Sequence, residues 1–128
     1  LLKYIRIYGV DKMENKIFQT DVTLSQYADG LLCILYRKYR ARIKGVYSDA
    51  KAKKFSFGEF QSFASKYICG DIIEICNELK DLNMLNFTVY DNMIYFMYLQ
   101  DDAIDFMERR CTNSHFDLGK QISNSFFE

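Results

Sequence analysis

The side chains that could carry chemistry in this chain are few and widely spaced. The single histidine, His115, has no serine or cysteine at a recognisable nucleophile spacing, and the chain has no glycine-rich phosphate loop. The four cysteines, Cys33, Cys69, Cys76 and Cys111, form no Cys-x-x-Cys pair. Because zinc sites need close ligand pairs, we expect buried free thiols, with no metal, no cofactor and no catalytic residue.

The distribution of charge is the strongest functional signal in the sequence. The chain has 17 basic and 17 acidic residues, but the segment from Arg37 to Lys54 has eight basic residues and one acid, so it carries +7 and the remainder −7. Three tyrosines interleave with these cations, a combination that predicts contact with a nucleic-acid backbone. The alternative is that the charges only solvate an exposed surface. The basic residues are Arg37, Lys38, Arg40, Arg42, Lys44, Lys51, Lys53 and Lys54.

A second charged surface is acidic. Asp71, Glu74, Glu78 and Asp81 recur at the spacing that places side chains along one side of a helix. Such a helix would meet the dense phosphates of a DNA groove unfavourably. This face is therefore predicted to be a solvated surface or a contact for a basic protein partner.

The first element that must position these residues is a long helix. Thr23 and Gln26 fit a capping box, and apolar residues recur at helical spacing to about Lys44, where Gly45 suits a C-terminal cap. The basic connector 46–54 is expected to be irregular or to contain one helical turn.

The central pattern predicts two short helices followed by a hairpin. Ser56 and Glu59 form a second capping box that starts a helix at position 57, a turn of about three residues precedes Gly70, and a third helix follows to about position 82. The segment 85–99 is rich in aromatic and branched residues, and Asp91-Asn92 suits a type I′ turn. This order predicts a mainly α winged helix-turn-helix.

Two further helices are expected after the hairpin. Asp101 is predicted to cap the first of them, so that Asp101-Asp102 is a helix start and not a catalytic carboxylate pair. The last, amphipathic helix must pack on the domain or on a second copy of it, since it is rich in phenylalanine. The residues proposed for such a homodimer contact are Phe116, Ile122, Phe126 and Phe127.

Length and composition fit one domain. The 128 residues are 49% hydrophobic and 16% aromatic, with no proline, which favours a helix-rich globule. No apolar run approaches the roughly 18 residues of a membrane span, so we expect a cytoplasmic protein. The segment 1–12 precedes the first methionine, Met13, which we expect to be the biological start. The predicted divisions are an N-terminal extension (1–22), a winged-helix domain (23–111) and a C-terminal helix (112–128).

About two-thirds of the chain resembles a group of small winged-helix proteins of unassigned function from Gram-positive bacteria and their prophages. The likeness is carried by the stretches 31–32, 36–39, 50–51, 78–79, 90–92, 102–104 and 107–110, together with Leu82, Leu85 and Tyr95. It implies the fold and a phage or mobile-element setting, and it supplies no catalytic residue. The aromatic helix 56–67 departs from that group.

These observations predict a non-enzymatic regulatory or accessory module that contacts DNA, if at all, through the segment from Arg37 to Lys54. The alternative is a protein–protein interaction module that keeps the winged fold without binding DNA.

Overall fold

The chain forms a small α+β fold in which helices cover one face of a three-stranded antiparallel sheet. The computed structural model describes residues 23–45, 47–56, 58–60 and 72–127. The elements are α1 (Gln26–Ile43), α2 (Asp49–Ala52), β1 (Lys54–Ser56), α3 (Ile72–Asp81), β2 (Leu85–Tyr90), β3 (Met93–Leu99), α4 (Asp101–Cys111) and α5 (Leu118–Phe127). Residues 58–60 are also helical. The N-terminal extension and the predicted turn before Gly70 lie outside the described residues.

Helix α1 is the centre of the core. From Leu31 to Leu35, five consecutive residues are at most 1% exposed, so one full turn of the helix is enclosed on all sides. A helix that is apolar all round is stable only when other elements surround it. After Tyr36 the helix turns polar, and its second half has a solvent-exposed side.

The start of α1 differs from the predicted capping box. Ser25, not Thr23, is the N-cap, and its hydroxyl accepts a bond from the Ala28 amide. Tertiary contacts favour Ser25 over the predicted Thr23, because Glu78 of α3 accepts hydrogen bonds from both the amide and the hydroxyl of Ser25, each at 2.7 Å. Gln26 does not reach back to Thr23 but donates to the Ser125 carbonyl of α5 at 2.7 Å.

The basic connector contains a helical turn, one of the two predicted alternatives, and a strand that was not predicted. Ser48 caps the short helix α2, and the chain then forms β1, a strand that the sequence did not predict because three residues show no readable alternation. The second capping box is confirmed in both directions. The Ser56 amide donates to the Glu59 carboxylate at 3.2 Å, and the Glu59 amide donates to the Ser56 hydroxyl at 3.3 Å.

The predicted hairpin is confirmed, and β1 joins it. The strand order is β1-β3-β2, so β3 is the central strand. Asp91 and Asn92 have φ values of 56° and 64°, as a type I′ turn requires. A bulge opposite Thr88 and Val89 changes the alternation of β3 near Tyr95.

Helix α3 ends at a left-handed asparagine. Asn83 has a φ of 61°, and the Met84 amide donates to the Leu79 carbonyl at 3.0 Å while the Asn83 amide donates to the Lys80 carbonyl at 2.9 Å. This bond pair is the Schellman arrangement, which satisfies carbonyls that the helix end leaves open. The turn directs Leu85 into the sheet.

The predicted cap of α4 is wrong. Gln100 occupies the N-cap position without a side-chain bond, and Asp101 is the first helical residue. The Asp101 carboxylate lies 2.5 Å from the Lys53 ammonium, an ion pair that competes with capping of its own helix.

One buried polar cluster joins α1, α4 and α5. Arg110 donates to both carboxylate oxygens of Asp29, at 2.6 and 3.2 Å, and Gln121 donates to the same carboxylate at 2.8 Å. Burial lowers the pKa of Arg110, but the bonds and charge of Asp29 raise it more, so its pKa lies above the ordinary value. The guanidinium also lies 4.5 Å from the centre of the Phe116 ring.

Replacing Arg110 by Met is expected to lower the free energy of unfolding by about 2–4 kcal/mol, because it leaves the Asp29 carboxylate partly buried without its cation. Urea denaturation followed by circular dichroism measures the change. The matched control is Arg109→Met, whose exposed pair with Asp105 should be worth less than about 1 kcal/mol. Equal losses in the two variants would contradict the role of the buried pair.

Candidate nucleic-acid interface

The fold divides the predicted basic segment into exposed and engaged cations. Helix α1 holds its first four cations and Lys44 is the C-cap of that helix. Helix α2 holds Lys51, Lys53 follows α2 directly, and Lys54 begins β1. Most of these side chains are exposed, whereas Arg42 and Lys53 are half-buried. The eight residues therefore do not form one uniform surface.

Three exposed cations lie along one side of the second half of α1. Arg37, Arg40 and Lys44 are spaced at i, i+3 and i+7 on this helix, which places them on one side. We call them the basic row. Lys38 is exposed beside them. Among the described residues, none forms a hydrogen bond or an ion pair with the side chain of Arg37 or Lys44, so both charges face solvent.

Arg42 has a structural role. Its guanidinium donates to the Lys54 carbonyl at 2.7 Å, forms an ion pair with Glu59 and lies 4.4 Å from the centre of the Phe55 ring. The side chain is only 10% exposed. Arg42 therefore fastens α1 to β1 and is not free to bind a phosphate.

Lys53 lies in an acidic cleft between α2 and α4. Its ammonium contacts Asp49 at 2.6 Å and Asp101 at 2.5 Å, and these two hydrogen bonds raise its pKa above the ordinary value. The hydrogen bond from Lys53 in turn lowers the pKa of Asp49. The cleft has a volume of about 370 Å³ and is lined by Tyr39, Asp49, Lys53, Asp101, Asp102, Ile104, Asp105 and Glu108. A phosphate would be repelled here.

The predicted acidic stripe is only partly exposed to solvent. Glu74 and Asp81 are exposed on α3, whereas Glu78 is half-buried and holds the N-terminus of α1 through Ser25. Asp71 lies outside the described residues. The apolar side of the helix is as predicted, with Ile75, Cys76 and Leu79 in the core.

The sheet carries an aromatic surface that was not predicted from the sequence. Leu85, Phe87, Met97 and Leu99 are buried on the helix-covered face, so Phe96 and Tyr98 project from the opposite one, which we call the outer face. In the strand register Lys54 lies opposite Tyr98, and its ammonium is 4.3 Å from the centre of the Phe96 ring. The sequence signal that could have predicted this surface is the presence of aromatic residues at the exposed positions of a strand whose other face is buried.

The residues predicted for a dimer contact pack within the chain where they are described. Ile122 is 4% exposed in the core, and Phe116 is partly buried against it. The structure describes no side chain for Phe126 or Phe127. The sequence did not decide whether Phe116 and Ile122 pack within one chain or between two copies. In the structure, both pack on the core of their own chain.

The cysteines and the histidine differ in exposure. Cys33 and Cys76 are buried free thiols, as predicted, whereas Cys111 is only half-buried. Cys69 lies outside the described residues. His115 is exposed. Within residues 23–45, 47–56, 58–60 and 72–127, no group of three or more potential ligands is placed to hold a metal ion. No helix in the same ranges is long and apolar enough to cross a membrane.

Comparison of the chain with protein-family models, with curated proteins and with solved structures gives no match. Functional inference therefore rests on the geometry of its own residues.

The thiols are expected to react in the order of their burial. Burial raises the pKa of Cys76 to about 12 and raises the pKa of Cys33 through desolvation and the nearby Asp29 carboxylate. At pH 8 the reactive thiolate is therefore scarce at both positions. Of these three cysteines, alkylation mapped by mass spectrometry should modify Cys111 first and reach Cys33 and Cys76 only in denaturant. Rapid modification of Cys33 in the folded protein would contradict its burial in the core around α1.

Proposed function

We propose that this chain is a non-enzymatic binding module of winged helix-turn-helix type that contacts the nucleic-acid backbone through the basic row. The order of elements supports the proposal: a long helix, the short strand β1, the helical residues 58–60, helix α3 and then a hairpin. In a winged helix, this is the order of first helix, first strand, helix pair and wing.

The contact is proposed for α1 and not for α3 because of charge. In the usual mode of such folds, the helix before the hairpin enters the major groove. The exposed positions of α3 include Glu74 and Asp81, which phosphates would repel, and Lys80 lies 5.2 Å from the centre of the Phe87 ring. The hairpin turn, Asp91-Asn92, also lacks a cation.

The observation that carries the proposal is the solvent exposure of Arg37, Arg40 and Lys44 on one side of a rigid helix. The first half of α1 is held in the core, so these three charges are presented from a fixed support. Cations aligned in this way neutralise successive phosphates and release counterions, which gives sequence-independent binding. A regulatory or accessory role in a phage or mobile element belongs to the same proposal and is supported by the family resemblance alone. Cytoplasmic location stays an expectation from the sequence, which has no apolar run long enough to span a membrane.

Neutralising the basic row should weaken binding and its salt dependence together. For Arg37→Gln/Arg40→Gln, we expect about tenfold weaker binding to duplex DNA at about 50 mM salt. The slope of log K against log salt should fall by about 2, since two phosphate contacts are lost. Fluorescence anisotropy with a labelled duplex at several salt concentrations measures both quantities.

The matched control for this variant is Arg109→Gln/Lys120→Gln, which removes the same charge from exposed positions on α4 and α5. It should bind nearly as well as the unmodified protein. The proposal fails if the unmodified protein does not bind the duplex at low salt, or if the two double variants are equally impaired.

The second candidate function is binding of a basic protein partner, and the acidic cleft favours it. Asp102, Asp105 and Glu108 line the cleft, and Lys53 is the only cation among its lining residues. A lysine-rich or arginine-rich segment would complement this charge.

Dimerisation through the end of α5 stays a prediction, which light scattering at two protein concentrations tests.

If the cleft binds a basic segment, a lysine-rich peptide should bind the unmodified protein in calorimetry. The variant Asp102→Asn/Asp105→Asn should lose about tenfold in affinity, because each carboxylate contributes a charge-assisted contact. The control is Asp117→Asn, an exposed acid before α5. Equal binding by both variants would count against the cleft.

A further inference from the structure

We propose that the outer face of the sheet binds single-stranded nucleic acid, with unpaired bases stacked on its aromatic rings and a phosphate beside Lys54. This inference rests on the proposed nucleic-acid contact and narrows it, since it names the single strand as the preferred class.

The outer face presents two pairs of neighbouring aromatic rings. Tyr90 is 71% exposed, Tyr95 42% and Phe96 37%, and Tyr98 is half-buried beside them. The ring centres of Tyr90 and Tyr95 are 6.2 Å apart, and those of Phe96 and Tyr98 are 6.4 Å apart. Three of the four rings belong to β3, the central strand, so the sheet on both sides supports the backbone that carries them. Rigid exposed rings of this kind are the surfaces on which bases stack.

The charge of this face is suited to a phosphate. The Lys54 ammonium lies 4.3 Å from the centre of the Phe96 ring and 5.9 Å from that of Tyr98, so a cation lies close to both rings. None of the described strand residues that project from the outer face is acidic. By contrast, the residues outside the segment from Arg37 to Lys54 carry a net charge of −7. A phosphate between two stacked bases would find its countercharge here.

A nucleic acid fits the face better than an apolar protein surface does. An apolar partner would cover the Lys54 charge without supplying an anion, which costs free energy. It would also leave the Thr88 hydroxyl on the same face without a partner. Bases and phosphates offer aromatic surface, hydrogen-bonding edges and negative charge together. Because paired bases in a duplex are already stacked, only a single strand can use the rings.

The basic row is a surface separate from the outer face. Arg42 donates to the Lys54 carbonyl, so its side of the last turn of α1 contacts β1. Arg40 and Lys44 are each two positions from Arg42, about 200° around the helix, so they lie on the side that points away from β1. Separate variants can therefore test the two surfaces.

The experiment measures binding of a labelled oligothymidylate about 16 nucleotides long, with an oligouridylate and a duplex of equal length as parallel ligands. We expect the unmodified protein to bind the single strands about tenfold more tightly than the duplex. Phe96→Leu keeps an apolar side chain but removes the ring, so it should weaken single-strand binding about tenfold and leave duplex binding within about twofold. DNA and RNA are distinguished by the first two ligands.

The matched control is Tyr27→Leu, which removes a 37% exposed ring from the first half of α1, outside both the sheet and the basic segment, and should not change binding. Tyr95→Leu provides a second variant on the outer face if Phe96→Leu does not fold by circular dichroism, and it should weaken single-strand binding in the same way. Lys54→Gln should lower the salt slope for the single strand by about 1.

The outcomes separate this inference from the proposed function. If duplex binding depends on the basic row but single-strand binding is unchanged in Phe96→Leu and Tyr95→Leu, the inference is overturned and the proposed function stands. If no nucleic acid binds, both are overturned. If light scattering shows a dimer that Phe96→Leu dissociates, the outer face is a contact between two copies, and the inference is again overturned.

Discussion

The bidentate ion pair between Arg110 and Asp29 is the interaction on which the arrangement of helices depends. It links α1 to α4, and Gln121 joins α5 to the same carboxylate. Helix α1 and the consecutive helices α4 and α5, which are distant from it in sequence, thus meet at one charged group that is only 14% exposed. The desolvation of such a group is costly, and the pair is tolerable only because both oxygens of the carboxylate are bonded. Its geometry therefore specifies how the helices pack, beyond what apolar contact alone would require.

Once α1 is fixed in this way, its two halves have different roles. The half around Leu31 to Leu35 fills the core, and the half after Tyr36 presents charge to solvent. The fold then uses two of the eight cations for itself: Arg42 fastens α1 to β1, and Lys53 balances acids of α2 and α4. The +7 of the segment is thus an overestimate of the charge offered to a ligand, because paired cations attract phosphates weakly.

The surfaces proposed for nucleic acid are both built on rigid elements. The basic row lies on a helix anchored in the core, and the aromatic rings lie mostly on the central strand of the sheet. Helix α3, the expected reading helix of a winged fold, instead holds α1 through Glu78 and exposes Glu74 and Asp81. Phosphates would be repelled by the acids of α3, and they would be attracted by the cations of the basic row and of the outer face, whose described strand residues include no acid.

The sequence by itself determined the features that depend on neighbours along the chain. The Ser56 and Glu59 capping box, the left-handed Asp91-Asn92 turn and the apolar side of α3 each follow from residues a few positions apart. Tertiary structure decided what depends on distant partners. Ser25 is the cap of α1, and its hydroxyl also bonds Glu78 of α3. Asp101 pairs with Lys53 and does not cap α4, and β1 is a strand because it pairs with β3. It also decided which cations stay free and which face of the sheet stays open, since pairing and burial are properties of the folded surface and not of local spacing.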